Sequence, residues 1–169
     1  MSEFYTFISG TNRVGSNTIK VAQHYQHLLE TQGLATRLVS LEGLKSVERT
    51  PEYTQLEQDI LIPGRKFIFV SPEYNGSIPG VLKVMLDISD YKKAWWGKKA
   101  LLTGVALGRS GNQRGMDHLT SILHYLKVIV HPNKLPISSV DKLLNGAGAI
   151  HDQATLDAIR HQVDEFISF

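Results

Sequence analysis

Apolar positions fall in two alternating rhythms along this chain. Short apolar runs rich in β-branched and aromatic residues read as buried strands over Phe4–Ser9, Ala35–Leu41, Lys66–Ser71, Lys99–Ala106 and Lys127–His131. Between them, apolar residues recur at helical spacing. Ile19, Ala22, Tyr25, Leu28 and Leu29 form one stripe, and Leu82, Met85 and Leu86 a second. Met116, Leu119, Ile122, Leu123 and Leu126 form a third, and Leu156, Ile159, Val163 and Phe166 a fourth. Glu52–Leu61 reads as a further short helix, ended by Pro63-Gly64. Ser16 or Asn17 suits an N-cap, Gly33 a helix stop, Pro79 a first helical turn and Asp152 the cap of the last helix. Glu42–Pro51 carries charge without periodicity and reads as loop. Ala94–Gly97 reads as a turn, and Asn133–Gly148 as mixed, with a short extended piece at Pro136–Val140.

Strands and helices thus alternate, which predicts βαβ units and a parallel sheet covered on both faces. The 169 residues show no repeat, low-complexity tract or linker, so the expectation is one domain over 1–169. In such sheets ligands bind beyond the carboxyl ends of the strands, where strand order reverses. The three most polar, glycine-bearing loops follow the first, third and fourth strands. They become neighbours in the order 2-1-3-4-5, that of a flavodoxin-like three-layer αβα sandwich with a five-stranded parallel sheet. A receiver domain shares that order but needs acidic residues where Ser9 and Ser71 stand.

Composition narrows the chemistry. With no cysteine, thiolate catalysis and Cys-based metal or iron–sulfur sites are excluded. The seven histidines show neither metal-ligand nor triad spacing. A formal charge of +2 with scattered basic residues disfavours nucleic acid as a partner. No apolar run approaches the ~18 residues of a membrane span, and the first residues lack a signal peptide's features. The expected location is the cytoplasm, with no membrane partner.

Gly10-Thr11-Asn12-Arg13-Val14-Gly15-Ser16-Asn17 has the glycine spacing of a P-loop, but Ser16 stands where the lysine for the β- and γ-phosphates belongs. The hydroxyls of Thr11, Ser16 and Thr18, the Asn17 amide, the Arg13 guanidinium and the backbone N–H groups suit one terminal phosphate. A polar strand-to-helix turn with an N-cap is the plainer alternative. In Ser71–Gly80, Asn75-Gly76 is a strong turn signal. Gly76 admits a planar ligand close to the backbone, and Tyr74 can cover an aromatic ring.

Gly10-Thr11-x-Arg13-x-x-Ser16-x-Thr18 resembles the phosphate loop of the NAD(P)H-dependent FMN reductase family, and Pro72–Lys83, PEYNGSIPGVLK, is similar to that family's flavin loop. Leu86-Asp87 and Trp96-Gly97-Lys98-Lys99 are similar to the segment that follows, and Gly108-Arg109-Ser110-Gly111 resembles its third loop. The chain departs from the pattern at Thr11, Thr18, Val84, Ile88, Leu107 and Asn112. The resemblance implies a flavodoxin-like fold, non-covalent FMN, NADPH or NADH as co-substrate, and a homodimer or homotetramer. It places the phosphate on Thr11, Arg13, Ser16 and Thr18, beside Asn17. It places the ring on Pro72, Glu73, Tyr74, Asn75 and Gly76, with Gly108, Arg109 and Gly111 nearby.

The mechanism expected from this is a ping-pong cycle. Hydride passes from nicotinamide C4 to flavin N5, and a quinone, flavin, azo compound or similar acceptor then takes the electrons. No general base is needed, because the cofactor carries the chemistry. Arg109 reads either as a contact to flavin or nucleotide or as a solvated loop charge. Trp95 and Trp96 read as core or interface residues, and His118 and His124 as surface or subunit-contact residues. The alternatives are a flavodoxin-like electron carrier or flavin-binding sensor, and a protein that uses its loop-rich edge for protein contacts. Carriers of this fold are strongly acidic, whereas this chain has a pI near 8.8.

Overall fold

The computed structural model describes residues 4–45 and 47–169. Strand β1 (Tyr5–Ser9) is buried throughout, as its apolar run predicts. Helix α1 (Asn17–Thr31) begins at Ser16, whose hydroxyl accepts the Ile19 N–H at 3.2 Å. There follow β2 (Thr36–Ser40), α2 (Pro51–Leu56), a π-helical turn (Glu57–Leu61), β3 (Lys66–Pro72), α3 (Gly80–Ile88), α4 (Tyr91–Trp95) and β4 (Lys99–Val105). The chain then forms α5 (Gln113–Tyr125), β5 (Ile129–Val130), β6 (Leu135–Ile137), α6 (Val140–Leu143) and α7 (Gln153–Ser168). The expected loop over Glu42–Pro51 holds up to Thr50, apart from Ser46, which lies outside the described residues.

The strand pairs are parallel, in the flavodoxin-like order β2-β1-β3-β4-β5. Ser9 lies beside both Ser40 and Val70, and Ser71 beside Gly104. The loops after β1, β3 and β4 therefore leave one rim of the sheet side by side. Alternating residues of β3 face opposite ways. Phe67 and Phe69 join Ile8 and Leu102 in a core under α3 and α5. Ile68 and Val70 join Phe7 and Leu101 in a core under α1 and α7. The buried face of α1 takes in Val21 with Ala22, Tyr25 and Leu29, while Ile19 and Leu28 are half-buried at its margin.

Three local differences from the sequence reading have physical causes. First, the last sheet position is split. β5 pairs with Lys99 and Ala100, and β6 with Thr103, Gly104 and Val105, on the same free side of β4. Residues 131–134 stand opposite Leu101 and Leu102 alone, so the edge carries two surplus residues and bulges. Pro132, which has no N–H to donate, sits in that bulge. Second, the stretch before Trp96 is helical rather than a turn. Asp90 accepts the Lys93 N–H at 3.2 Å to cap α4, and Trp95 is fully buried against Phe67, with ring centroids 5.2 Å apart. Third, the helix after Pro51 widens to a π turn at Glu57. Its buried carboxylate pairs with Arg49 and accepts the Asp90 N–H at 2.5 Å.

Two buried polar constructions fasten the layers. Tyr25 donates its hydroxyl to Gln162 Oε1 at 2.6 Å, and Gln162 Nε2 donates to Leu102 O at 3.0 Å and to Asn133 O at 2.8 Å. This network joins α1, β4, α7 and the edge bulge with every partner satisfied. Burial pushes the Tyr25 hydroxyl pKa up. At the other end of the sheet, Lys98 Nζ donates to the carbonyls of Leu61, Ile62 and Gly64 and so closes the end of the π turn. Burial lowers the Lys98 pKa to about 8, with a smaller push from Arg65. Among the described residues, no helix is long and apolar enough to cross a membrane.

Removing the ammonium strands three carbonyls in a largely buried place. Lys98→Met is expected to cost about 2 kcal/mol of stability, read as a lower urea midpoint at unchanged slope.

Candidate functional site

The first loop turns sharply because the sheet leaves it no room. A Cβ on Gly10 would lie 3.1 Å from both Val70 O and a Leu82 methyl. Thr11 follows, 1% exposed, and its hydroxyl accepts the Arg13 N–H at 3.3 Å. Gly15, with φ +63°, bends the chain into α1. The first turn of α1 presents N–H groups without intrahelical partners, at the positive end of a 15-residue helix. Thr11, Arg13, Ser16, Asn17 and Thr18, the expected phosphate residues, all line one cleft of about 660 Å³.

The second loop is a tight hairpin. Tyr74 N–H donates to Ser77 O at 2.9 Å, and Ser77 N–H to Tyr74 O at 3.1 Å. Asn75 and Gly76 between them have φ of 52° and 77°, the paired positive angles of a type I′ turn, which Asn-Gly favours. Their two N–H groups have no partner among the described residues. Beyond its chain neighbours, a Cβ on Gly76 would meet among the described residues only Arg114 Nη1, at 3.9 Å, so the tip is open to a flat ligand. Pro72, Glu73, Tyr74, Asn75 and Gly76 line the same cleft as the first loop.

Side chains tie the loops together. Tyr74 Oη and Thr11 Oγ1 are 2.6 Å apart, and the Arg13 guanidinium lies 4.4 Å above the Tyr74 ring centre. Tyr74 therefore leans toward the first loop while still lining the cleft. The Glu73 carboxylate accepts the Ser110 hydroxyl at 2.6 Å, reaching the third loop. On the outer side, the Ser77 hydroxyl meets His118 Nδ1 at 2.8 Å.

The third loop folds back over β4 because Gly104 has no side chain. A Cβ there would lie 2.1 Å from Gly111 O. Gly111 and Asn112 both take positive φ, 57° and 66°. Asparagine tolerates this region better than most residues, so the departure from glycine at 112 is absorbed. Asn112 is fully buried, and its Nδ2 donates to Ser71 O at 2.8 Å, tying the loop to the root of the second.

Gly108 lines the cleft, but Arg109 and Gly111 do not. Arg109 is exposed, and Gly111 packs instead on Pro136, which a Cβ would meet at 2.6 Å. Trp95 belongs to the core, and Trp96, 37% exposed, lies under the Lys127 ammonium. Several cleft residues escaped the sequence reading. Val105, Ala106, Leu107 and Ser110 line the cleft from the third loop and its root, and Val14 does so from the first. Val140 joins them from the segment read as mixed, with its N–H donating to Ala106 O at 3.1 Å. Gly104 carried a usable signal, since a glycine inside an apolar strand marks a close backbone approach. Val140 carried none.

The sheet order and its loop-bearing rim define a flavodoxin-like protein. The family model for NADPH-dependent FMN reductases matches residues 6–142, and the chain belongs to that family. It is an oxidoreductase working with FMN and NAD(P)H. It is 28% identical to an NAD(P)H-dependent FMN reductase of Pseudomonas aeruginosa, over 92% of this chain and 89% of that protein. A quinone reductase of Pseudomonas putida (strain KT2440) is 26% identical, over 100% of this chain and 96% of that protein. The apo crystal structure of an NADH:FMN oxidoreductase superposes with a TM-score of 0.79 at 22% identity, covering 98% of this chain and 88% of that one.

Asn112→Ala removes the bond to Ser71 O and places a Cβ residue without a polar side chain at positive φ. It is expected to cost about 2–3 kcal/mol, whereas Asn112→Gly, which keeps the angle, costs less. Thermal unfolding of the two variants checks the order.

Proposed function

We propose that the cleft binds FMN non-covalently, with the phosphate on the first loop and the ring on the second, and that the chain reduces this FMN with NADPH or NADH. The observation that carries the reading is the Thr11–Tyr74 hydrogen bond, which joins the two loops within a single cleft. The residues fit the group. The Arg13 guanidinium lies over the Tyr74 ring at the cleft, where it could pair bidentately with a phosphate. The hydroxyls of Thr11, Ser16 and Thr18, the Asn17 amide and the start of α1 complete a cradle for a dianion. The Asn75 and Gly76 N–H groups suit the hydrogen-bond acceptors on one edge of a flavin ring, and Gly76 lets that ring approach. Pro72 and Glu73 set the height of the turn, with Glu73 held by Ser110. Gly108, Leu107 and Val140 bound the far side, while Arg109 stands outside as a solvated charge or a contact for the incoming nucleotide.

Bound FMN supplies a hydride acceptor at N5 and a store for two electrons. The N–H groups of Asn75 and Gly76 would hold the ring edge, and the first loop would anchor the phosphate. A nicotinamide and then an acceptor would enter the same cleft in turn, which is the ping-pong order. Acceptors of the quinone, flavin or azo class suit a flat, open face. The reading also includes a homodimer or homotetramer in the cytoplasm, supported by family membership.

The holoprotein should show a flavin spectrum that bleaches within seconds of adding NADPH or NADH without oxygen, while a carrier or sensor would not bleach. Initial rates with a quinone should give parallel double-reciprocal lines, and intersecting lines would contradict the ping-pong order. Arg13→Ala should weaken FMN binding by roughly thirtyfold, from the loss of a charge-assisted pair of about 2 kcal/mol, measured by flavin fluorescence.

A further inference from the structure

The geometry points to Glu42 as a positioning residue for the phosphate turn, and through it for the choice between a phosphorylated and an unphosphorylated flavin. This inference rests on the reading that the first loop takes the FMN phosphate.

Strand order brings Glu42 to the turn. β2 runs parallel to β1 toward the same rim, with Ser9 opposite Ser40. Leu41 N–H donates to Ser9 O at 3.4 Å, which extends the pairing past the end of the strand. Glu42 is then fixed by its own N–H, which donates to Ser40 Oγ at 3.3 Å. From there its Oε1 accepts the Gly15 N–H at 3.1 Å. Glu42 is not among the residues that line the cleft, so it reaches the turn from outside.

The turn needs such a tie. Gly15 has positive φ, and among the described residues no heavy atom beyond its own chain neighbours lies within 4 Å of where its Cβ would stand. Val14 beside it is 85% exposed. Packing therefore does little to fix these two residues. Yet they connect Arg13, whose guanidinium lies over the Tyr74 ring, to Ser16, the cap of α1. An N–H bonded to a carboxylate is a charge-assisted bond, stronger than a neutral one. Holding the bend presents Arg13 and Ser16 in register, and a cradle ordered in advance binds with less entropy lost.

The carboxylate's charge works the other way, since a negative group close behind an anion site repels the anion. The hydrogen bond is what helps binding, and the strength that the charge adds to it is offset by this repulsion. Glutamine keeps the hydrogen-bond acceptor without the charge, and alanine keeps neither.

The test is titration of the apoprotein with FMN and with riboflavin, followed by flavin fluorescence, for the wild type, Glu42→Ala and Glu42→Gln. Glu42→Ala should weaken FMN about fivefold to tenfold and leave riboflavin within about twofold. Glu42→Gln should bind FMN within about threefold of the wild type, or tighter. Equal losses for both flavins, an alanine variant with unchanged or tighter FMN, or a glutamine variant as weak as alanine would each overturn the assignment. A wild type that binds riboflavin as tightly as FMN would remove the phosphate reading itself, and this inference with it.

Discussion

Strands β1 and β3 lie side by side, yet their outgoing chains part. After β1 the chain crosses to the face where α1 packs on Phe7, Ile68 and Val70. After β3 it crosses to the opposite face, where Leu82 and Met85 of α3 pack on Ile8 and Phe69. The parting opens a crevice at the rim, and strand order alone decides where it falls. All that follows in the site depends on this divergence. The first loop supplies a helix start, the second a hairpin tip, and the Thr11–Tyr74 hydrogen bond closes the gap between them at 2.6 Å.

The second loop is the keystone of this arrangement. Tyr74 bonds the first loop, Glu73 bonds Ser110 of the third, Ser71 O accepts from Asn112, and Ser77 meets His118 on α5. A type I′ turn fastened at so many points keeps its two central N–H groups aimed in fixed directions. Such fixed dipoles are what a protein contributes to a flavin reaction, since the redox chemistry belongs to the cofactor.

Much of the fold was legible because local rules and tertiary structure agree. Lys66–Ser71 reads as a strand buried on both faces, and it is one. Asn75-Gly76 reads as a turn because its positive φ values suit those two residue types. What was not legible depends on partners distant in sequence. α4 is too short to show a period and is held by Trp95 in the core. The split of the last strand depends on a bulge that β4 alone defines. A motif supplies residue types but not directions, so the Tyr74 bond to Thr11 and the packing of Gly111 on Pro136 were not legible in it. Glu42 lay in a stretch with no period at all, and only the adjacency of β2 and β1 gives it a partner.

The central claim is that one cleft separates phosphate recognition from ring recognition across two neighbouring strand ends. Amide NMR of the apoprotein titrated in parallel with FMN and riboflavin tests it most directly. The account predicts that FMN shifts the amides of Ser16, Asn17 and Thr18 together with those of Asn75 and Gly76, while riboflavin shifts Asn75 and Gly76 and leaves the first turn of α1 nearly still. Identical shift patterns for the two ligands, or FMN shifts confined to a single loop, would contradict it.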